Sequence, residues 1–249
     1  MRDHPQTPVT YDLRMTRVIT YVDGFNLYHG AKELVKSNKQ QVSWKWLDLV
    51  ALSHKLLPKG ELIRVKYYTA RVSAPETDPT LGQRQQVYLR ALASDPMIEI
   101  VLGQFQTQKK RMPLVNSPGM LRRNLIRALG LRLTLHPDGN VSVPVWRIEE
   151  KATDVNLGVH LIADVFRDKF DVALVISNDS DLCEPIRMAV QELGKRVVVV
   201  NPRGHKKSAV ALRKVASEVR KIRVSALTSC QLPVSITDSR GIITRPDGW

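Results

Sequence analysis

Two kinds of apolar pattern alternate along this chain. Short continuous runs rich in β-branched and aromatic residues read as strands: RVITYV at 17–22, ELIRVKYYTA at 61–70, MIEIVLGQFQ at 97–106, DVALVIS at 171–177 and KRVVVVN at 195–201. Between them lie longer stretches with apolar residues three and four apart, which read as helices. These are GFNLYHGAKELV after the first strand, WKWLDLVALSHKLL from an N-cap at Ser43 to a stop at Pro58-Lys59-Gly60, and LGQRQQVYLRALAS up to Asp95-Pro96. Two more run from Thr153 to about Phe166 and through LCEPIRMAVQELG to Gly194. Strands that are apolar throughout are covered on both faces, and strands alternating with helices build a parallel sheet. The expected class is α/β, a central and mostly parallel sheet with flanking helices. In the helix from Thr153, the expected buried stripe is Val155, Val159, Ile162 and Phe166, with Asp164 on the exposed side.

The pattern loosens at the ends and in the middle. Residues 1–16 mix Pro, Thr and charge without period and read as a loose arm. Between about 104 and 147, TQKKRMPLVNSPGM reads as a basic loop, LRRNLIRALG as a short helix and LRLTLHPDGNVSVPVW as a hairpin turning near Asp138-Gly139. After Asn201 comes a basic loop and helix, and residues 224–249 read as an extended tail packing on the core or on a partner. The expected organisation is an arm (1–16), one domain (17–223) with a basic insertion at about 104–147, and a tail (224–249). A length of 249 residues suits such a plan. No apolar run reaches the roughly 18 residues of a membrane span, and the first residues lack the apolar centre of a signal peptide. A cytoplasmic protein without membrane association is therefore expected. Cys183 and Cys230 have no metal-ligand spacing and read as ordinary thiols.

Charge adds a partner to this picture. The net charge is +14, from 38 Lys and Arg against 24 Asp and Glu. Residues 104–151 hold nine basic and three acidic residues, and residues 185–223 hold eleven and two, so two segments carry essentially the whole excess. Local clusters of this kind neutralise phosphates with release of counterions, which points to nucleic acid; the alternative is a highly solvated surface. Lys109, Lys110, Arg111, Arg122, Arg123 and Arg127 in the first segment, and Arg203, Lys206 and Lys207 in the second, are the candidate phosphate contacts, with Lys151 between them. Phe105 and Trp146 are candidate stacking rings. Trp44 and Trp46 read as packing residues.

The acidic residues supply the chemistry. Asp23 ends the first strand, with Asn26 one turn beyond; Asp154 opens a helix; Asp179 and Asp181 follow the strand that ends near Ser177. Carboxylates gathered at strand ends repel one another unless a cation lies among them. All-oxygen ligands suit a hard divalent cation such as Mg²⁺ or Mn²⁺, and there is no His or Cys cluster for zinc. In a basic protein such an ion serves phosphodiester hydrolysis through an activated water.

The motifs YVDGFNLYHG, EEKATDVNLGVHL and FDVALVISNDSDL resemble those of the NYN-domain branch of the PIN-like nucleases. The resemblance implies a Rossmann-like (PIN-like) fold over about residues 17–201 and an Mg²⁺- or Mn²⁺-dependent ribonuclease acting on single-stranded or structured RNA. It implies Asp23, Asp154, Asp179 and Asp181 as catalytic and metal-binding residues, with Asn26 catalytic and Ser177 or Asn178 assisting. One acidic residue common in PIN-like sites has no evident counterpart; Glu149 and Glu150 lie near Asp154 but precede its helix. The expected function is thus a metal-dependent endoribonuclease. The alternative is an RNA-binding regulatory protein of the same fold with little cleavage of its own, and a homo-oligomer stays open. A haloacid dehalogenase-type phosphatase would need Asp-x-Asp where this chain has Asp23-Gly24-Phe25-Asn26, and dinucleotide binding would need the absent G-x-G-x-x-G.

Overall fold

Strands that are apolar on both faces need cover on both, and this chain supplies it by returning a helix after most of them. The computed structural model describes residues 16–39, 42–72, 74, 76–113, 128, 130, 134–137, 141–203 and 209–249. In chain order its elements begin with β1 (Arg17–Asp23), α1 (Gly24–Ser37), α2 (Leu49–Leu56), β2 (Glu61–Thr69), α3 (Leu81–Ala93) and β3 (Ile98–Leu102). Next come β4 (Gln104–Pro113), β5 (Thr134–Leu135), β6 (Val141–Lys151), α4 (Thr153–Phe166) and β7 (Val172–Ile176). The chain then forms α5 (Cys183–Arg187), β8 (Arg196–Asn201), α6 (Val210–Val215), β9 (Glu218–Lys221), α7 (Val224–Ser229), β10 (Ser235–Asp238) and β11 (Gly241–Thr244).

Six strands pair in the order β3-β2-β1-β7-β8-β9, all parallel. The chain winds outward from β1 to β3 on one side, then from β7 to β9 on the other. The seam between β1 and β7 is therefore a switch point, and a crevice opens at the carboxyl ends of these two strands. The two-residue period of the strands sorts the core into two layers. Val18, Val22, Leu174 and Ile176 face α1, α2 and α3, while Ile19, Tyr21, Ala173 and Val175 face α4, α5 and α6. Each fully buried Leu or Ile contributes about 1.5–3 kcal/mol. Among the described residues, no helix is long and apolar enough to cross a membrane, and Cys183 and Cys230 are free thiols.

Several expectations need correction. The run 97–106 is not one strand: it breaks at Gly103, and β4 leaves the parallel sheet to join an antiparallel sheet of order β4-β6-β5. The basic stretch expected as a loop is strand as far as Pro113, paired from Gln104↔Lys151 to Pro113↔Ser142, and its remainder lies outside the described residues. Asp48, not Ser43, caps the second helix, its carboxylate accepting from Ala51 N at 2.8 Å. The stretch expected as a basic helix after 201 instead forms the short α6 and the edge strand β9. The tail is a short helix and a hairpin rather than an extended segment, and Trp249 packs against Trp46 and Tyr88. Residues 1–15, the helix expected at 121–130 apart from Ala128 and Gly130, and the turn at Asp138-Gly139 lie outside the described residues.

The phase of α4 also differs. Val155, Val159 and Phe166 are exposed, and the buried stripe is Leu157, Leu161 and Val165, joined by Asp164 at 1% exposure. Both stripes are apolar, so hydrophobicity alone does not choose between them; a polar partner does. Asp164 meets Lys66 Nζ at 2.6 Å, the Tyr21 hydroxyl at 2.8 Å and Lys169 Nζ at 3.2 Å. Burial pushes the Asp164 pKa up, but these partners outweigh it and hold the carboxyl below its ordinary range. Breaking one side of a buried pair strands the other charge. Asp164→Ala should therefore cost about 3–5 kcal/mol, and adding Lys66→Met should recover most of that loss. Urea denaturation of the single and double variants measures both.

Candidate active site

The crevice is built from two strand ends and one helix start. β1 stops at Asp23, which caps α1: its Oδ1 accepts from Asn26 N at 2.9 Å. Its Oδ2 accepts from the Ser177 hydroxyl, just past β7, at 2.9 Å. That hydroxyl in turn accepts from Asp179 N at 3.1 Å, and Asp179 Oδ1 accepts from Asp181 N at 3.0 Å. A second thread crosses the same seam: Asn178 N donates to Asn26 Oδ1 at 3.1 Å, and Asn178 Oδ1 accepts from Ala209 N at 2.9 Å. Asn26, Ser177 and Asn178 are thus positioning residues that fix the acidic loop. Gly24 is needed beside them, because a Cβ there would lie 2.7 Å from Tyr68 O and 2.8 Å from the Tyr67 ring and hydroxyl.

The sequence-predicted acids share one electrostatic neighbourhood. Asp23 is buried, and burial raises its pKa more than Asn26 and Ser177 lower it, with Asp179 and Glu150 adding to the rise. Asp154, in the first turn of α4, is raised from 3.8 to about 7, first by burial and then by repulsion from Asp23, Asp179, Glu150 and Asp181. Asp181 sits at the exposed rim.

Glu150 therefore belongs to the cluster, and sequence reasoning left it unplaced. The signal that finds it is the two-residue period of β6, which sends Glu149 and Glu150 to opposite faces. Glu149 is occupied by Lys110, Arg147 and Lys151 at 3.5, 2.5 and 3.0 Å, which depress its pKa. Glu150 turns to the crevice, where its Oε1 accepts from Thr153 N at 3.1 Å. This bond does the work of the missing cap, since Ala152 at the N-cap position gives no side-chain hydrogen bond. Ala152 is held at φ 79°, a left-handed conformation costly for a residue with a Cβ. Gly103 completes the junction: a Cβ there would stand 2.6 Å from Lys151 O and 2.7 Å from Glu150 Oε1.

The candidate phosphate contacts are more dispersed. Lys151 is exposed at the base of the β4–β6 ribbon. Lys109 and Arg111 lie farther along it, with Lys109 about 17 Å from Gln104 at some 3.3 Å per residue. Lys110 and Lys151 pair with Glu149, while Arg111 bonds Thr134 Oγ1. Lys109 Nζ stands 5.8 Å over the exposed Trp146 ring, whereas Phe105 is packed edge-on against Phe25. Trp44 and Trp46 are packing residues, as expected. Arg203, past β8, faces Glu33 at 3.7 Å. Arg122, Arg123, Arg127, Lys206 and Lys207 lie outside the described residues. Two cavities flank the acids: an apolar groove of about 680 Å³ beside Asp154 and Asp181, lined by Val155, Val159, Pro185 and Met188, and an aromatic one of about 540 Å³ that shares Glu150.

The donor set is all oxygen and mutually repelling, the chemistry that a hard divalent cation offsets. Among the described residues, however, no group of three His, Cys, Asp or Glu side chains stands in an arrangement that would hold an ion. An ion held by three or more of these carboxylates would require their side chains to move.

Comparison with known proteins adds the following. Residues 120–223 match the NYN domain. The chain is 28% identical over 261 residues to 6-hydroxy-3-succinoylpyridine 3-monooxygenase HspA of Pseudomonas putida, covering 96% of this chain and 77% of that protein. Among solved structures, it is similar to a protein of unknown function from Vibrio parahaemolyticus at 16% identity and a TM-score of 0.47, covering 85% of this chain and 95% of that one. It is also similar to Sir2 bound to an acetylated peptide, at 13% identity and a TM-score of 0.33, covering 87% and 91%.

Two predictions follow from the junction and the acids. Ala152→Gly relieves the left-handed strain and should stabilise the protein by about 0.5–1 kcal/mol in thermal or urea melts. Asp154 binds its proton more tightly folded than unfolded, so its contribution is fully present below about pH 4 and is lost as pH rises towards 7. In chelator, Asp154→Asn should flatten that slope by on the order of 1–2 kcal/mol, discounted for its partial exposure. Melting temperatures of both chains from pH 4 to pH 8 test this.

Proposed function

With an NYN domain over residues 120–223 as the premise, we propose that this chain is a metal-dependent endoribonuclease that hydrolyses RNA phosphodiester bonds. The observation that carries the reading is the convergence of Asp23, Asp154, Asp179, Asp181 and Glu150 at the β1/β7 switch point. Asp23, Asp154, Asp179 and Asp181 would hold Mg²⁺ or Mn²⁺, with Glu150 alongside, and Asn26 and Ser177 hold Asp23 in place. The ion, when bound, supplies an acidified water and offsets charge on the phosphate. Glu149 balances only one of its three cations, so the ribbon keeps a positive face for the RNA backbone. Lys109, Lys110, Arg111, Lys151 and Arg203, together with Arg122, Arg123, Lys206 and Lys207, are the residues assigned to that contact.

A second reading is favoured by the Pseudomonas putida relative, which is named for oxygenation of a substituted pyridine and aligns with 96% of this chain. In it, the same crevice serves a small heteroaromatic substrate.

Labelled single-stranded RNA, structured RNA and DNA, incubated with Mg²⁺, Mn²⁺ or chelator, test the first reading. Cleavage of RNA should require the metal and fall on the order of a hundredfold or more in Asp179→Asn, with the melting temperature kept, because one charge leaves a repelling cluster. Cleavage that survives both chelator and substitution overturns the metal-nuclease reading. Metal-independent RNA binding without cleavage would instead indicate a regulator.

A further inference from the structure

We infer that the aromatic cavity beside the acids is a binding site for one planar heteroaromatic ring carrying an anionic group, presented there to the proposed reaction centre. The inference rests on the placement of that centre but not on its chemistry. The chain has 4 Phe, 4 Trp and 6 Tyr, and six of these rings line this one cavity: Phe25, Tyr28, Tyr67, Tyr88, Phe105 and Trp249. They come from α1, β2, α3, β4 and the final residues, so the fold gathers them from five separate stretches of chain. A core packs such rings to near-crystalline density, yet here they surround about 540 Å³, within the range of about 300–1,000 Å³ typical of small-molecule pockets. Tyr67 and Tyr88 are buried in the core behind this cavity, and the partly exposed rings of Phe25, Tyr28, Phe105 and Trp249 leave apolar faces that a planar ligand would cover.

The walls are held in place. Phe25 and Phe105 meet edge to face at 5.5 Å, and Tyr67 and Tyr88 at 6.4 Å. The Tyr88 hydroxyl donates to Leu47 O at 2.9 Å. Gln85 is also committed to the wall, donating to Ala70 O at 2.9 Å and accepting from Val72 N at 2.9 Å. What remains for a ligand is charge of both signs. Lys45 Nζ gives one hydrogen bond, to Gly248 O at 3.1 Å, and an ammonium has three donors, so it can also hold an anionic substituent. Glu150 lines the cavity on the side shared with the acid cluster. Tyr67 reaches the helix residue that directly follows Asp23. A ring seated here is therefore next to Asp23 and Glu150.

Two sources offer this chemistry: a base of an RNA chain, with its phosphate, and a free heteroaromatic acid. Titrating the full-length protein in chelator with adenosine monophosphate, a short single-stranded oligonucleotide, pyridine-3-carboxylate and ribose 5-phosphate separates them. Tryptophan fluorescence and calorimetry serve as readouts. At least one ring probe should bind saturably, ribose 5-phosphate should not, and Phe105→Ala and Tyr28→Ala should each weaken binding about tenfold or more. Tyr28→Phe should bind like the parent, and circular dichroism checks that each variant folds. Competition by the oligonucleotide assigns the ring to RNA; binding of the free acid alone assigns it to a small molecule. No saturable ring binding, equal binding of ribose 5-phosphate, or unchanged affinity in both alanine variants overturns the inference. Because chelator is present throughout, a failed cleavage assay leaves this result untouched, and a failed titration leaves the nuclease reading standing.

Discussion

Among the described residues no single helix links β1 directly to its neighbour β7, and side chains tie the carboxyl end of that seam. Asp23 and Ser177 close it with one hydrogen bond, and Asn26 and Asn178 with another. Everything else at the site depends on this closure. It fixes the turn of Asn178 to Asp181 against the start of α1, and it sets a buried carboxylate where the two halves of the sheet diverge. The same closure costs stability, because burial and neighbouring acids both oppose the charge on Asp23. A parallel sheet leaves such an opening at its switch point by topology, and this chain fills it with acids.

The second sheet changes what the site contains. By pairing with β4, β6 is carried to the rim of the crevice and ends there, and its alternation divides two adjacent glutamates between opposite tasks. Glu149 gathers cations on the outer face; Glu150 joins the acids and caps α4 in place of Ala152. One strand thus carries an acid of the crevice on one face and the cations paired with Glu149 on the other, while Lys109 and Arg111, farther along the ribbon, share the Glu150 face.

Much of this was legible in the sequence because it rests on local rules. Apolar runs gave the strands of the parallel sheet, apart from the edge strand β9, and the Asp residues at strand ends and helix starts gave Asp23, Asp154, Asp179 and Asp181. What escaped depended on pairing between distant segments. LGQFQ continues smoothly through Gly103 in sequence, and only the partner strand shows that the chain changes sheets there. The phase of α4 was misread because Asp164 looks like a surface residue until Lys66, far away in the chain, is placed against it. Glu150 was within reach, since alternation along β6 would have separated it from Glu149 had the strand been recognised. The aromatic cavity was not, because its rings are scattered from Phe25 to Trp249.

Gly103 has a mechanical consequence. It is the single residue between β3 in one sheet and β4 in the other, and it lies against the backbone of Lys151 and the Glu150 carboxylate. The ribbon is thereby rooted at the rim, where Gly103 N also donates to Thr69 O of the parallel sheet at 2.8 Å. From Gln104 to Pro113 it extends about 30 Å at some 3.3 Å per residue, so a tilt of about 10° at that root would displace its tip by some 5 Å and atoms about 5 Å from the root by less than about 1 Å. A rigid lever of this shape would convert a large displacement at its outer cations into almost none at the Glu150 carboxylate.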